Sequence, residues 1–315
     1  MRNLRIVFMG TPEFAVTILK KILEEGYNVV GVITAPDKPA GRGRKLQESA
    51  VKTFASSQGL RVLQPLNLKS TEFIHELEEI NPNVQVVVAF RMLPKIVWQL
   101  PKYGTFNLHA SLLPNYRGAA PINWAIINGE KVTGVSTFFI DEKIDTGEII
   151  LKKEVVINPE ENVGVLHDRL MHEGAILVAK TLNLIKQDRV ITQKQELEGP
   201  FLEAPKLTKE NTKIDWELPV ERVYNHIRGL NPYPAAWCDL YNGRDKIAVQ
   251  LYDVKLQKED HQNDIGTLIR ENKTLKVAGN GGLIEIIEIK LPGKRKMKVS
   301  DLLNGFKLEA DAKLL

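Results

Sequence analysis

One cysteine in 315 residues, Cys238, excludes any disulfide within the chain and suits a reducing compartment. No run approaches the roughly 18 consecutive apolar residues of a membrane-spanning helix, so no span is expected. The opening Met1-Arg2-Asn3-Leu4 leads straight into RIVFMG, too short and polar a start for a signal peptide. Cytoplasm is therefore the expected location. Metal-ligand spacings are missing: there is no His-x3-His and no Cys-x2-Cys. His167 and His172 are five apart, a poor helical spacing for a shared ion, so no metal is expected. The stretch FMGTPEFA has one glycine where a dinucleotide site wants G-x-G-x-x-G, and a Walker A sequence is absent. Nicotinamide and nucleoside triphosphates are therefore disfavoured. No serine or cysteine nucleophile motif stands out. Cys238, beside Trp237, reads as a packed thiol. Charge is nearly balanced, 43 Lys and Arg against 39 Asp and Glu, for a net +4. That permits an anionic partner without requiring one.

What is present is a regular alternation. RIVFMG is a short apolar run ending in Gly10, as a buried parallel strand would be. TPEFAVTILKKILEEG follows with helical spacing, Pro12 near its start and Gly26 at its stop. The same strand-and-helix rhythm continues through YNVVGVITA, SAVKTFASSQG, RVLQP, STEFIHELEEINP with Ser70 or Thr71 as cap, VQVVVAF and GTFNLHA. APINWAIINGE is helical, TGVSTFFID and TGEIILKKEVVI are strands around EKIDTG, and the stretch from Asn162 to Gln187 is one long helix. Residues 1–189 thus predict an α/β domain with a Rossmann-like, mostly parallel sheet. Ligands of such sheets sit beyond the carboxyl ends of the strands.

The pattern changes after Arg189. Residues 190–206 have little periodicity and two prolines, and read as a linker. Residues 207–315 hold one helix, Pro219 to Leu230, and then short strand-like runs, including AAWCDLY, DKIAVQLYDVKLQ and TLKVAGNGGLIEIIEIKLP. Turn signals at Asn242-Gly243 and Asn280-Gly281-Gly282 divide them. A small OB-like β-barrel domain is expected.

Asn107 and His109, in FNLHASLLPNYRGAAPINWAIINGE, lie two apart on a predicted strand, so their side chains leave one face. Asn offers a neutral N–H donor, and His a cationic donor or an acid/base near neutrality, which together suit an oxyanion. A cationic His needs a carboxylate, and Asp145, followed by Thr146-Gly147, is the candidate. Alone, Asn-x-His equally describes a histidine bonded to backbone at a strand end, and Asp145 a turn former. The loop DKPAGRGRKL carries Lys38, Arg42, Arg44 and Lys45 spaced by glycine and proline. It is either a solvated charged loop or an arm that meets phosphates. GKRKMK adds Lys294, Arg295, Lys296 and Lys298 on the second domain, where a basic strand could follow a phosphate backbone.

Taken in order, FMGTPEFAV, APDKPAGRGRKL, NLHASLLPNYRGAAPINWAIINGE, TGVSTFFIDEKIDTGEII and the tail beginning KIDW resemble the methionyl-tRNA formyltransferase family over essentially the whole chain. The resemblance implies formyl transfer from 10-formyltetrahydrofolate to methionyl initiator tRNA, with Asn107, His109 and Asp145 as the catalytic trio. It implies a folate site lined by Ser111, Leu112, Leu113 and Pro114, and by the stretch Phe90, Arg91, Met92, Leu93 and Pro94. Many relatives have Tyr-Gly where this chain has Phe90-Arg91, which alters the fine contacts of that pocket. It also implies that the basic loop enters the tRNA acceptor end, with Arg42 foremost. A monomer is expected. The alternative is a folate-dependent formyltransferase acting on a small amine, such as a glycinamide or amino-sugar nucleotide.

Overall fold

The computed structural model describes residues 1–40, 45–196 and 198–315. A seven-stranded sheet is built from β1 (Arg5–Gly10), β2 (Asn28–Ile33), β3 (Val62–Leu63), β4 (Val84–Val88), β5 (Thr105–His109), β6 (Val132–Phe139) and β7 (Ile149–Val156). Their order across the sheet is β7-β6-β5-β4-β1-β2-β3. The pairings β1–β2, β1–β4, β2–β3 and β4–β5 are parallel, and β5–β6 is antiparallel. The chain runs outward from β1 to β3, then returns to β4 on the other side of β1. This is the topological switch at which doubly wound sheets place their ligands.

Burial explains the strand sequences. Ile6, Val7, Phe8 and Met9 are all fully buried, as both faces of a parallel strand must be. Gly10 ends β1 because a Cβ there would lie 2.5 Å from that of Ala15 on α1 (Glu13–Glu24). The one glycine of FMGTPEFA therefore serves helix–strand packing. The helices α2 (Ala50–Ser57) and α3 (Thr71–Ile80) begin at serine caps. Ser49 Oγ accepts from the Lys52 N–H at 3.0 Å and Ser70 Oγ from Phe73 at 3.4 Å. A core of Val7, Met9, Ile33, Phe73, Leu77 and Val87 lies between sheet and helix, with α4 (Lys95–Trp98) contributing Val97.

The chain divides into two compact units, but not at one cut. The first holds residues 1–118, 133–155 and 168–203; the second holds 119–132, 156–167 and 204–315. Beside the contiguous division expected at 1–189, 190–206 and 207–315, α5 (Pro121–Ile127) and the first turn of α6 (Val163–Lys186) group with the second unit by packing. Ile127 of α5 is part of that unit's apolar core, which explains the attachment. Residues 190–203, expected as linker, pack with the first unit. Gln193 exchanges both backbone hydrogen bonds with Ile149, at 2.8 and 2.9 Å.

The second unit contains α7 (Val220–Leu230) and two antiparallel sheets. Its strands are β8 (Ala236–Asn242), β9 (Asp245–Leu251), β10 (Val254–Gln257), β11 (Leu268–Glu271), β12 (Thr274–Gly279), β13 (Gly282–Ile286), β14 (Glu288–Lys290), β15 (Met297–Lys298) and β16 (Lys313–Leu314), with α8 (Val299–Gly305) before the last. The sheet orders are β15-β14-β9-β8-β16 and β10-β13-β12-β11. DKIAVQLYDVKLQ, read as one strand, is two. The chain breaks at Tyr252-Asp253, where the Asp253 carbonyl accepts from Ile287 and Glu288, so the halves join different sheets. The chain also passes from β13 to β14 through Ile287, and Gly266 and Leu268 bond to the backbone at 312–314. These corners close the sheets into a small barrel around Trp216, Val249, Leu251, Val277, Ile284 and Ile289. Cys238 is buried there, and burial pushes its thiol up to about 12, so it is the packed thiol its context suggested.

His226 on α7 is half-buried in this unit, and desolvation pushes its pKa below the ordinary value of 6.5 against a smaller opposing effect of a hydrogen bond at Thr212. Its Nε2 meets no hydrogen-bond partner among the described residues. A base with a depressed folded pKa is neutral when folded, so between the two pKa values the unfolded chain binds more protons. The stability contribution is complete above about pH 6.5 and is lost on acidification below it, with a one-proton limit of about 1.4 kcal/mol per pH unit. Melting temperature should fall between pH 7.5 and 5.5 in the native chain and fall less in His226→Gln. Equal acid sensitivity in the two would contradict this role for His226.

Candidate active site

β5 ends at the site. Phe106 and Leu108 are buried toward one face, and Asn107 and His109 leave the other, as period-two alternation requires. His109 is 7% exposed. Its Nε2 lies 2.7 Å from the Tyr116 carbonyl. A carbonyl only accepts, so Nε2 carries the proton and the tautomer is fixed. Nδ1 then faces Asp145 Oδ2 at 3.7 Å, an ion-pair distance too long for a hydrogen bond. Nδ1 thus keeps hydrogen-bonding capacity for a third group between the imidazole and the carboxylate. Both histidine readings apply at once: one nitrogen bonds to backbone, and the other meets the carboxylate.

Asp145 sits in the turn between β6 and β7. It adopts the left-handed conformation itself, at φ 55°. Its Oδ2 accepts from the Gly118 N–H at 3.0 Å. The turn is pinned by Asp141 Oδ1, which accepts from Thr146 Oγ1 at 2.7 Å and the Lys143 N–H at 3.0 Å. Gly147, two residues after Asp145, is not at a positive φ. Its actual role is close packing, because a Cβ there would lie 1.6 Å from the Phe139 carbonyl oxygen. The bend belongs to Asp145, and Gly147 allows the two backbones to touch.

The loop after β5 is braced from below. Ser136 Oγ donates to the Ser111 carbonyl at 2.7 Å and accepts from the Leu113 N–H at 3.2 Å. Ser111 Oγ donates to Asn115 O at 2.7 Å, and Lys152 Nζ to Leu113 O at 2.6 Å. Ser111 and Leu113 are fully buried, and Leu93 belongs to the first core. These three side chains pack inward and hold the loops. Leu112 and Pro114 are half-buried, as is Phe90. Met92 is 70% exposed, as are Ile144 at 58% and Leu66 at 83%. Arg91 turns back to donate to the carbonyls of Leu66 and Pro65, and Lys95 pairs with Glu142, so the loops bearing these apolar groups are tied to one another.

The basic residues are set apart. Lys38 is exposed on the strand Lys38–Ala40, which pairs with Lys45–Gln47; Arg42 and Arg44 lie outside the described residues. The base of this hairpin is fixed at Asp37, which accepts from Gln64 and Lys52 at 2.7 and 2.5 Å. The Gln64 amide, then the Lys52 ammonium, hold its carboxyl below the ordinary carboxylate value. On the second unit, Lys294, Arg295 and Lys298 are exposed, whereas Lys296 pairs with Glu288 at 2.5 Å. Sequence reasoning missed Tyr116, Arg117 and Gln195. The first two lie in the loop that follows His109, where no role was assigned to them, and Gln195 lies in the supposed linker. Among the described residues, no cluster of three His, Cys, Asp or Glu is placed to hold a metal ion, and no helix is long and apolar enough to cross a membrane.

Comparison with known proteins places this geometry. Residues 4–182 match the family described as formyl transferase, and residues 206–307 its C-terminal domain. Among solved structures, HypX from Aquifex aeolicus in complex with tetrahydrofolic acid superposes with a TM-score of 0.64 at 16% identity, covering 97% of this chain and 48% of that one. The N-formyltransferase of Helicobacter canadensis gives 0.64 at 21%, covering 90% and 98%. Both likenesses concern the fold. The class is thus a formyl transferase with its C-terminal domain. A curated methionyl-tRNA formyltransferase of Flavobacterium johnsoniae is 55% identical over 314 residues, all of both chains. The chain belongs to the methionyl-tRNA formyltransferase family.

Gly147→Ala forces the backbones at Phe139 and residue 147 apart. It should lower formyl transfer at least tenfold and cost more than about 2 kcal/mol of stability. Unchanged kinetics and melting would show that the turn tolerates a Cβ.

Proposed function

We propose that this chain transfers the formyl group of 10-formyltetrahydrofolate to the free α-amino group of methionyl initiator tRNA, giving N-formylmethionyl-tRNA and tetrahydrofolate for translation initiation. The observation that carries the reading is the placing of His109 against Asp145, on the face Asn107 shares, in a chain that matches the Flavobacterium relative end to end. The residues fit the folate: Met92, Phe90 and Ile144 offer apolar surface to a flat ring, and the braced loop 111–114 offers backbone groups. When bound, it supplies a formyl carbon open to attack by an amine, so the enzyme needs no covalent nucleophile.

Asn107 and Nδ1 of protonated His109 donate to the formyl oxygen as negative charge grows there. One donor of this kind is typically worth about 10²–10³ in rate. Asp145 faces the imidazolium and is the group available to take the amine's proton and pass it to the folate nitrogen as the bond between that nitrogen and the formyl carbon breaks. The amine itself has an ordinary pKa near 8, so a useful fraction is neutral at pH 7. Lys38, Arg42, Arg44 and Lys45 meet the acceptor end of the tRNA, while Lys294, Arg295 and Lys298 meet its phosphates. Lys296, paired with Glu288, contributes less. The protein acts in the cytoplasm and as a monomer.

The test is transfer of labelled formyl, with charged initiator tRNA, charged elongator methionine tRNA and glycinamide ribonucleotide as acceptors. Label on initiator methionyl-tRNA alone is expected; label on the small amine would overturn the tRNA assignment. His109→Ala should lose at least about 10²-fold in kcat with its fold intact by circular dichroism. Near-native turnover would remove His109 from the mechanism. Affinity for tRNA should fall linearly with the logarithm of salt concentration, and Arg42→Ala should weaken tRNA use while sparing folate affinity. A flat salt response, or equal loss for both substrates, would count against these contacts.

A further inference from the structure

Asp145 can oppose His109 only while its backbone stays in the left-handed region, at φ 55°. For a residue with a Cβ this conformation costs roughly 1–2 kcal/mol. Two side chains converge on it from outside the turn. Gln195 Nε2 donates to the Asp145 carbonyl at 3.0 Å and to the Gly147 carbonyl at 2.8 Å. Arg117 Nε donates to the same Asp145 carbonyl at 3.1 Å. The two are joined to each other, since Arg117 Nη2 donates to Gln195 Oε1 at 2.7 Å.

The clamp is itself anchored. Arg117 Nη2 also donates to the Glu196 carbonyl at 3.0 Å, and the guanidinium lies 5.6 Å from the centre of the Phe201 ring. Two residues before Gln195, the paired backbone bonds of Gln193 and Ile149 fix the strand against the start of β7. The next residue after Arg117, Gly118, gives its N–H to the Asp145 carboxylate. Carbonyl and carboxylate of one residue are therefore gripped by neighbouring parts of the same segment. The amide at 195 supplies donors without placing a second negative charge beside Asp145. A glutamate there would lose those donors, and a leucine would keep the volume alone.

We propose that Gln195 and Arg117 are positioning residues that hold Asp145 in its catalytic geometry, neither touching substrate. The proposal rests on the reading of Asp145 as the partner of His109 in formyl transfer. Its test is a double-mutant cycle of Gln195→Leu with Asp145→Asn, reading kcat and both KM values, with thermal melting alongside. Gln195→Leu should lower kcat by about 10- to 100-fold, the usual effect of a misplaced group, with both KM values within about threefold of native. In the Asp145→Asn background the same substitution should cost little more, because the carboxylate it positions is already gone. Arg117→Lys, which keeps one donor but cannot bridge to Gln195, should fall between.

Native kcat in Gln195→Leu while Asp145→Asn is impaired would overturn the clamp and leave the functional reading intact. Equal fold-losses in the two backgrounds would reduce Gln195 to general support of the fold and overturn the proposal. Full activity in Asp145→Asn would sink the functional reading and the clamp together.

Discussion

The hydrogen bond from His109 Nε2 to the Tyr116 carbonyl sets the order of everything around it. It commits one nitrogen to the protein and makes the other the reactive one. Its acceptor is not free to drift. Tyr116 is itself in the left-handed region, at φ 60°, and its N–H bonds to the Leu202 carbonyl. The same short loop then provides the Gly118 N–H that grips Asp145. One loop therefore fixes the imidazole from one side and the carboxylate from the other, so their relative position does not depend on either side chain's own rotamer freedom.

The rest of the first unit supports that arrangement by burial. β5 is an interior strand, with β4 on one side and β6 on the other, so His109 projects from backbone that cannot fray. Ser136 and Lys152 brace the loop that follows, from strands β6 and β7. The basic residues proposed to meet the tRNA are built differently. Lys38 is exposed on a two-stranded hairpin, and Lys294 and Arg295 are exposed in a turn of the barrel. Chemistry that tolerates little displacement sits on the sheet, and recognition that works through long-range charge sits on loops.

Much of this was legible in the sequence. Period-two spacing alone put Asn107 and His109 on one face, and the need of a cationic histidine for a carboxylate singled out Asp145. The cap at Ser70 or Thr71 was readable because either side chain can satisfy a helix N–H locally, and Ser70 does so. What escaped was non-local. Gln195 has no periodic neighbours, and its partners are 48 and 50 residues away. The backbone break at Tyr252-Asp253 follows from which sheet each half joins, not from any Gly or Pro. Residues 119–132 pack with the second unit because Ile127 completes an apolar core assembled from strands more than a hundred residues downstream. The burial of Ser111 and Leu113 depends on Ser136 and Lys152, from strands 23 and 39 residues downstream, which local pattern does not reach.

The central claim is that the protein holds His109 with its proton on Nε2, leaving Nδ1 as the atom that faces Asp145 and the reacting oxygen. Nitrogen-15 spectra of the histidine side chains, with His109 assigned by comparison with His109→Gln, read this directly. At a pH where the ring is neutral, the account predicts a protonated-type Nε2 and an unprotonated-type Nδ1. The opposite tautomer, with Nδ1 protonated and Nε2 bare, would contradict it.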